Sequence, residues 1–289
     1  MKYGFVLPWG DARTTAEMAA AAEGQGWDGF FVWDPVWGVD PWVALAAAAM
    51  VTRRIRLGTM ITPVSRQRPW TLAGQTAALD NLSGGRVILS VGLGALDTGF
   101  AEFGEETDRA ARAELLDEGL AIIDGLWRGQ PFSFSGKHYH VRPTTFSPPP
   151  PPVQQPRIPV WVVAAWPRPR SVRRALRWDG ILPAKMSGPG QFEAVVPDDV
   201  RQIAAYVREH RVRSPVETHP EKNIGARDIA SLPGFDIVVD GQTPGADPAA
   251  ARERVRPFAE AGATWWIETL WGESELEAVR RRILQGPPR

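Results

Sequence analysis

Short apolar runs alternate along the chain with longer stretches whose apolar residues recur every three or four positions. KYGFVLP (2–8), GFFVWD (29–34), IRLGTMI (55–61) and RVILSVG (86–92) read as the first four strands. IPVWVVA (158–164), DGILPA (179–184), FDIVVDG (235–241) and TWWIETL (264–270) read as four more. A helix follows each. Thr14 or Thr15 is the expected cap of the first, which runs to Gln25. Asp40-Pro41 supplies a cap and a first-turn proline for the second. The third runs from Pro69 to about Leu82. In AELLDEGLAIIDGLWRG, apolar residues at 115, 116, 120, 122, 123, 126 and 127 mark an amphipathic fourth. SVRRALRW, DDVRQIAAYVREHRV, DPAAARERVRPFAEAG and ESELEAVRRRIL complete the set.

Strands that alternate with helices of this length pair in parallel, and eight such units predict a closed (β/α)₈ barrel, a TIM barrel. One domain accounts for residues 1–289. An open doubly wound sheet is the rival, but it more often has fewer strands and a single glycine-rich switch loop. Three segments stand outside the rhythm. Residues 129–157 end in a proline run that fits neither helix nor central strand, so an extended surface connection is expected. Residues 186–197 and 214–234 are rich in Gly, Pro and Ser and read as loops. The barrel thus carries extended loops after strands four and six.

Composition narrows the chemistry. Lys+Arg and Asp+Glu balance at 33 each, which argues against nucleic acid as a partner. There is no cysteine, so disulfides, thiolate metal sites and cysteine nucleophiles are excluded. MKYGFVLPWG is interrupted too soon for a signal peptide, and no apolar run reaches membrane-spanning length. A soluble cytoplasmic protein is expected. His138, His140, His210 and His219 show no metal-ligand spacing, and no metal is expected. HExxH, Walker A and GxSxG motifs are absent. Lys185 is the one lysine near a strand end, which makes an aldolase or hydrolase a weak alternative.

Barrels of parallel strands keep their chemistry at the C-terminal strand ends. Gly92 and Gly94 lie there, where glycine lets a flat ring or a phosphate come close to the backbone. Ser83-Gly84-Gly85 lies at the opposite end and stops a helix. Asp34 ends strand two and Glu268 ends strand eight, and both are candidate catalytic carboxylates. Glu268 shares a side of its strand with Trp266, so both are expected to line a pocket, with a salt bridge to a neighbouring arginine as the alternative for Glu268. Trp9, Trp33, Trp166 and Trp266 fall near strand ends and would wall an apolar, ring-binding site.

RIRLGTMITPVSRQRPWTLAGQTAALDNLSGGRVILSVGLG resembles the central signature of the bacterial luciferase-like, flavin-dependent oxidoreductases. GLWRGQPFSFSGKHY, PRIPVWVVAAWP with RRALRWDGILP, and IVVDGQTPGADP with AGATWWIE extend the resemblance over most of the chain. It implies a (β/α)₈ barrel and a cofactor at the strand ends: FMN with oxygen in a monooxygenase, or a deazaflavin coenzyme in a hydride-transfer enzyme. A barrel that binds a flavin without catalysis is the remaining reading. The resemblance places the ring against Thr59, Met60, Ile61 and Thr62, where many members have a non-prolyl cis peptide. It places the phosphate after strand five, by Ala165, Trp166, Arg168, Arg170 and Ser171. Ala164-Ala165 stands where many members have two glycines, and Pro35 stands where many have a histidine. Arg66 and Arg68 are alternative anion partners for substrate or cofactor. The resemblance further implies a homodimer and leaves room for a separate flavin reductase.

Overall fold

In the computed structural model, residues 1–145, 149–188, 191–211 and 234–289 are described. In chain order the elements are β1 (Lys2–Leu7), α1 (Ala12–Gly24), β2 (Gly29–Val32), α2 (Pro41–Val51), β3 (Arg56–Thr59), β4 (Thr62–Pro63) and α3 (Pro69–Ser83). Then come β5 (Val87–Gly92), α4 (Arg109–Arg128), β6 (Phe132–Ser135), β7 (His140–Thr144), β8 (Val160–Trp166) and α5 (Pro169–Ala175). β9 (Gly180–Gly188), β10 (Gln191–Glu193), α6 (Pro197–Arg211), β11 (Asp236–Gly241), α7 (Pro248–Ala261), β12 (Trp265–Glu268) and α8 (Leu276–Leu284) complete the chain.

β9, β11, β12, β1, β2, β3, β5 and β8 are parallel neighbours in that order, and β8 pairs β9 to close the ring. The predicted eight-stranded barrel is therefore present. Each wall residue faces either the lumen or the helices, because successive side chains alternate across a strand. Val6, Phe31, Met60, Ile88, Trp161, Leu182, Val238, Trp265 and Ile267 form one cluster with at least one member from each wall segment, which identifies it as the lumen. Phe5, Leu57, Leu89, Val162, Val239 and Trp266 belong to the layer between wall and helices. Most wall positions on both faces are apolar, as parallel sheets require.

Aspartates start four of the helices. Asp11, Asp40, Asp108 and Asp247 accept hydrogen bonds from backbone N–H groups of the first turn. The first cap is thus Asp11, three residues before the expected threonine, and Thr14 supplies a bonded N–H instead. Gly84 ends α3 with φ 69°, the left-handed stop expected there.

The excursions differ from expectation in detail. Residues 129–157 leave α4, and their first half folds into an antiparallel hairpin, β6 with β7. Phe132 and Phe134 point one way and Gly136 accommodates the turn, so alternation overrides the loop-like composition. β9 extends to Gly188 and pairs antiparallel with β10, so a ribbon occupies part of 186–197. Of the loop read at 214–234, residues 214–233 lie outside the described residues. Among the described residues no helix is long and apolar enough to cross a membrane.

Candidate functional site at the barrel mouth

The third wall strand is split. β3 ends at Thr59 and pairing resumes at Thr62, with a cis peptide between Met60 and Ile61. Both intervening side chains turn to the lumen cluster. Thr59 and Thr62 are fully buried and bond each other, Oγ1 to Oγ1 at 2.9 Å, and Thr59 also reaches the carbonyl of Ser90. Of the four residues expected under a ring, Met60 and Ile61 face the lumen, while the two threonines tie strands together.

β5 contributes Ile88, Ser90 and Gly92 to the lumen by alternation. A methyl group on Gly92 would lie 3.0 Å from Ile61 Cδ1 and 3.1 Å from Val163 Cγ2. Glycine therefore lets the Ile61 and Val163 side chains close over β5, where a larger residue would push them apart. Below Gly92, the Ser90 hydroxyl is fully buried and has no hydrogen-bond partner among the described residues. Gly94 adopts φ 79° and packs on Phe100 and Pro63, so its role is the turn itself. On β8, Ala165 shares the lumen side with Trp161 and Val163, whereas Trp166 points outward and packs edge-on against Tyr206 of α6. Arg168 and Arg170 are exposed at the end of β8, and Ser171 accepts the Ala165 N–H at 2.9 Å.

Asp34 follows β2 and is 4% exposed. Its Oδ1 lies 3.4 Å from Arg66 Nη1, and its Oδ2 has no hydrogen-bond partner among the described residues. Arg66 also donates to the Val36 carbonyl and stands 3.8 Å from Glu105. Burial pushes the Asp34 carboxyl up to about 6, against the lowering pull of Arg66 and Thr62. A carboxyl poised there exchanges a proton readily near neutrality.

Aromatic side chains rim the opening. Trp9 and Trp33 are partly exposed, and Trp37 stacks on Phe103 at 6.4 Å. Trp9 donates its indole N–H to the Glu273 carbonyl, which ties the β1 and β12 loops together.

Three expected pocket residues lie elsewhere. Glu268 and Trp266 do share a side of β12, but that side faces α8. Glu268 is fully buried and bonds Arg282 Nε at 3.1 Å, the Thr243 N–H and hydroxyl, and the Trp266 indole N–H. It is an anchor between barrel and helix, not a pocket carboxylate. Arg68 turns outward over Trp70 at 5.8 Å and takes no part in the lumen. Lys185 is held by Asp199 at 3.0 Å. His138 bonds Glu114.

Sequence reading overlooked Asp240. On β11 it shares the lumen side with Asp236, which accepts the Trp161 indole N–H, and with Val238. The signal was present: an acid at a strand's C-terminal end, two residues from an inward valine.

Comparison with known proteins bears on this mouth. An uncharacterised protein of Mycobacterium tuberculosis (strain ATCC 25618 / H37Rv) is 34% identical over 190 residues, 57% of this chain and 66% of the relative. The chain thus spans just under two thirds of that relative. An F420-dependent glucose-6-phosphate dehydrogenase of Amycolatopsis mediterranei (strain U-32) is 28% identical over 293 residues, 86% of each chain. Among solved structures, the coenzyme F420-dependent tetrahydromethanopterin reductase of Methanopyrus kandleri superposes with a TM-score of 0.73 at 17% identity, covering 99% of this chain and 98% of that one. A family model described as luciferase-like monooxygenase matches residues 1–282, and the chain belongs to that family of oxidoreductases.

Proposed function

We propose that the protein is an oxidoreductase that works with a deazaflavin coenzyme at the C-terminal mouth of its barrel. The observation that carries this reading is the convergence there of inward Met60 and Ile61, the bare backbone of Gly92 beneath Ile61 and Val163, and the buried Asp34 carboxyl. The nearly full-length F420-dependent relative favours a deazaflavin over FMN. The residues fit such a group. A flat tricyclic ring needs an apolar slot, and Met60, Ile61 and Val163 line one whose floor carries the unpartnered Ser90 hydroxyl. When bound, the coenzyme supplies two-electron hydride chemistry.

The protein's own part is binding, orientation and proton handling. Bare Gly92 would lie beside the ring, and Arg168, Arg170 and backbone N–H groups beyond Ala165 would hold the anionic tail. Asp34 holds the proton that leaves or joins the substrate, and Arg66 positions it. Trp9 and Trp33 wall the opening against water.

The family's description as monooxygenase favours a second reading, reduced FMN with oxygen, for which a separate flavin reductase is the natural supplier. Parallel calorimetric titrations with F420 and FMN separate the two. We expect saturable heat with F420 and weaker or no heat with FMN; the reverse order installs the second reading, and no heat with either sinks both. Tight binding followed by no turnover of any candidate substrate would leave a non-catalytic binding barrel.

We further propose that the protein pairs with a second copy through α2 and α3. Val43 and Met50 on α2 and Trp70 and Leu82 on α3 are exposed, an apolar surface that water disfavours. Light scattering should give twice the chain mass of 31.8 kDa, and Met50→Glu should shift it toward that mass.

A further inference from the structure

The barrel mouth holds one carboxylate that the proton chemistry above does not use. Asp236, Val238 and Asp240 face the lumen from successive inward positions of β11. Asp236 is spent on the Trp161 indole N–H and Val238 sits in the apolar cluster. Asp240 comes next, at the strand's C-terminal end, in register with Ile267 of the same cluster. Its side chain is open to solvent, as befits a group in a wide mouth. Among the described residues no cation lies within salt-bridge distance of it, and no side chain bonds it.

Three cations near the mouth are committed elsewhere, while Arg168 and Arg170 stand exposed at the end of β8. Arg66 is held by Asp34 and Glu105, Lys185 by Asp199 and Glu193, and Arg112 by the carbonyls of Leu93 and Gly94. Asp240 is therefore an anion set among Val238, Ile267 and Leu182 without a counter-charge. Such a group is relieved by a cation brought from outside. The rim points the same way, because Trp9 and Trp33 present partly exposed indoles and a positive group is attracted to an indole face.

We propose that Asp240 is the substrate-recognising carboxylate of the mouth, and that it selects an organic cation, a protonated amine carried on an apolar body. This rests on the reading of the mouth as the ligand site. It assigns Asp34 to the proton and Asp240 to the substrate's charge. A carboxylate-bearing substrate is excluded by repulsion. The lumen beneath Asp240, with Val6 and Phe31 fully buried, is close-packed, so the apolar body would rest against the partly exposed indoles of Trp9 and Trp33.

The test is calorimetric titration of the full chain with three probes of one shape: cyclohexylammonium, cyclohexanol and cyclohexanecarboxylate. Wild type should bind the ammonium about tenfold more tightly than the alcohol, with the carboxylate weakest. Asp240→Asn should erase the ammonium preference, leave the alcohol within about twofold, and melt as wild type does. Asp240→Glu should restore part of the preference. Equal ammonium binding by wild type and Asp240→Asn, a carboxylate bound as tightly as the ammonium, or no saturable ammonium binding would each overturn the proposal. F420 and FMN titrations on the same samples keep the two readings apart. A protein that ignores both coenzymes yet prefers the ammonium refutes the coenzyme reading alone. A protein that binds coenzyme without the preference refutes the role of Asp240 alone.

Discussion

Replacing Arg282 by methionine should lower stability by about 3–5 kcal/mol, seen as a marked fall in the thermal midpoint. The reason lies in what remains. Glu268 is fully buried, and Arg282 Nε, 3.1 Å away, is its only cationic partner within salt-bridge distance among the described residues. Thr243 and Trp266 would still donate hydrogen bonds, but they bring no positive charge. A buried carboxylate without its counter-ion costs more than the pair contributed, since taking an ion out of water is expensive. Arg282 also lies over Trp27 at 5.2 Å and donates to the Gly286 carbonyl, so methionine keeps some packing and loses the rest. Combining it with Glu268→Gln removes the stranded charge and should recover most of the loss. Coenzyme affinity should stay unchanged in both variants, because the pair faces α8. A single variant that melts like wild type, or that loses coenzyme affinity at unchanged stability, would return Glu268 to the pocket.

That pair also marks a boundary of what the chain discloses by itself. Alternation within TWWIE ties Glu268 to Trp266, and the structure keeps them together. It does not say which side is the lumen, because a parallel barrel wall is apolar on both faces. The answer comes from contacts such as Arg282, which arrives from the next helix and follows no local rule. Asp34 was legible as an acid at a strand end, yet its near-neutral carboxyl is set by burial among elements distant in sequence, with Arg66, 32 residues on, pulling the other way. Asp240 obeys the same strand-end rule, but alternation alone ties it to Val238 without saying that their side is the lumen. The barrel itself was plain, since eight apolar runs separated by helices leave few other closures. The hairpin at β6 and β7 was hidden by the glycine and prolines beside it. The cis Met60–Ile61 peptide came from resemblance alone.

Asp34→Asn should make the protein more stable and less active at once. The carboxyl is raised from 3.8 to about 6, chiefly by burial, so the folded state holds its proton over a pH range where the unfolded chain has released it. Between those values the folded state binds more protons than the unfolded one, and wild-type stability falls as pH rises. Above about 6 the full cost of a buried anion is present, about 3 kcal/mol. The amide carries no such cost. The variant should therefore gain up to about 3 kcal/mol at pH 8, with the gain shrinking as pH falls through 6 and vanishing below about 4. Unfolding curves of both proteins across that range measure the difference directly, and other titrating groups cancel between them. Turnover of any substrate found for the coenzyme-loaded protein should drop by about two orders of magnitude or more, because an amide neither takes nor gives the proton. Coenzyme affinity should hold, since Asp34 contributes no part of the slot formed by Met60, Ile61 and Val163. A loss of stability at pH 8 would instead make Asp34 an anchor for Arg66, and the carboxylate that moves the proton would have to be sought elsewhere at the mouth.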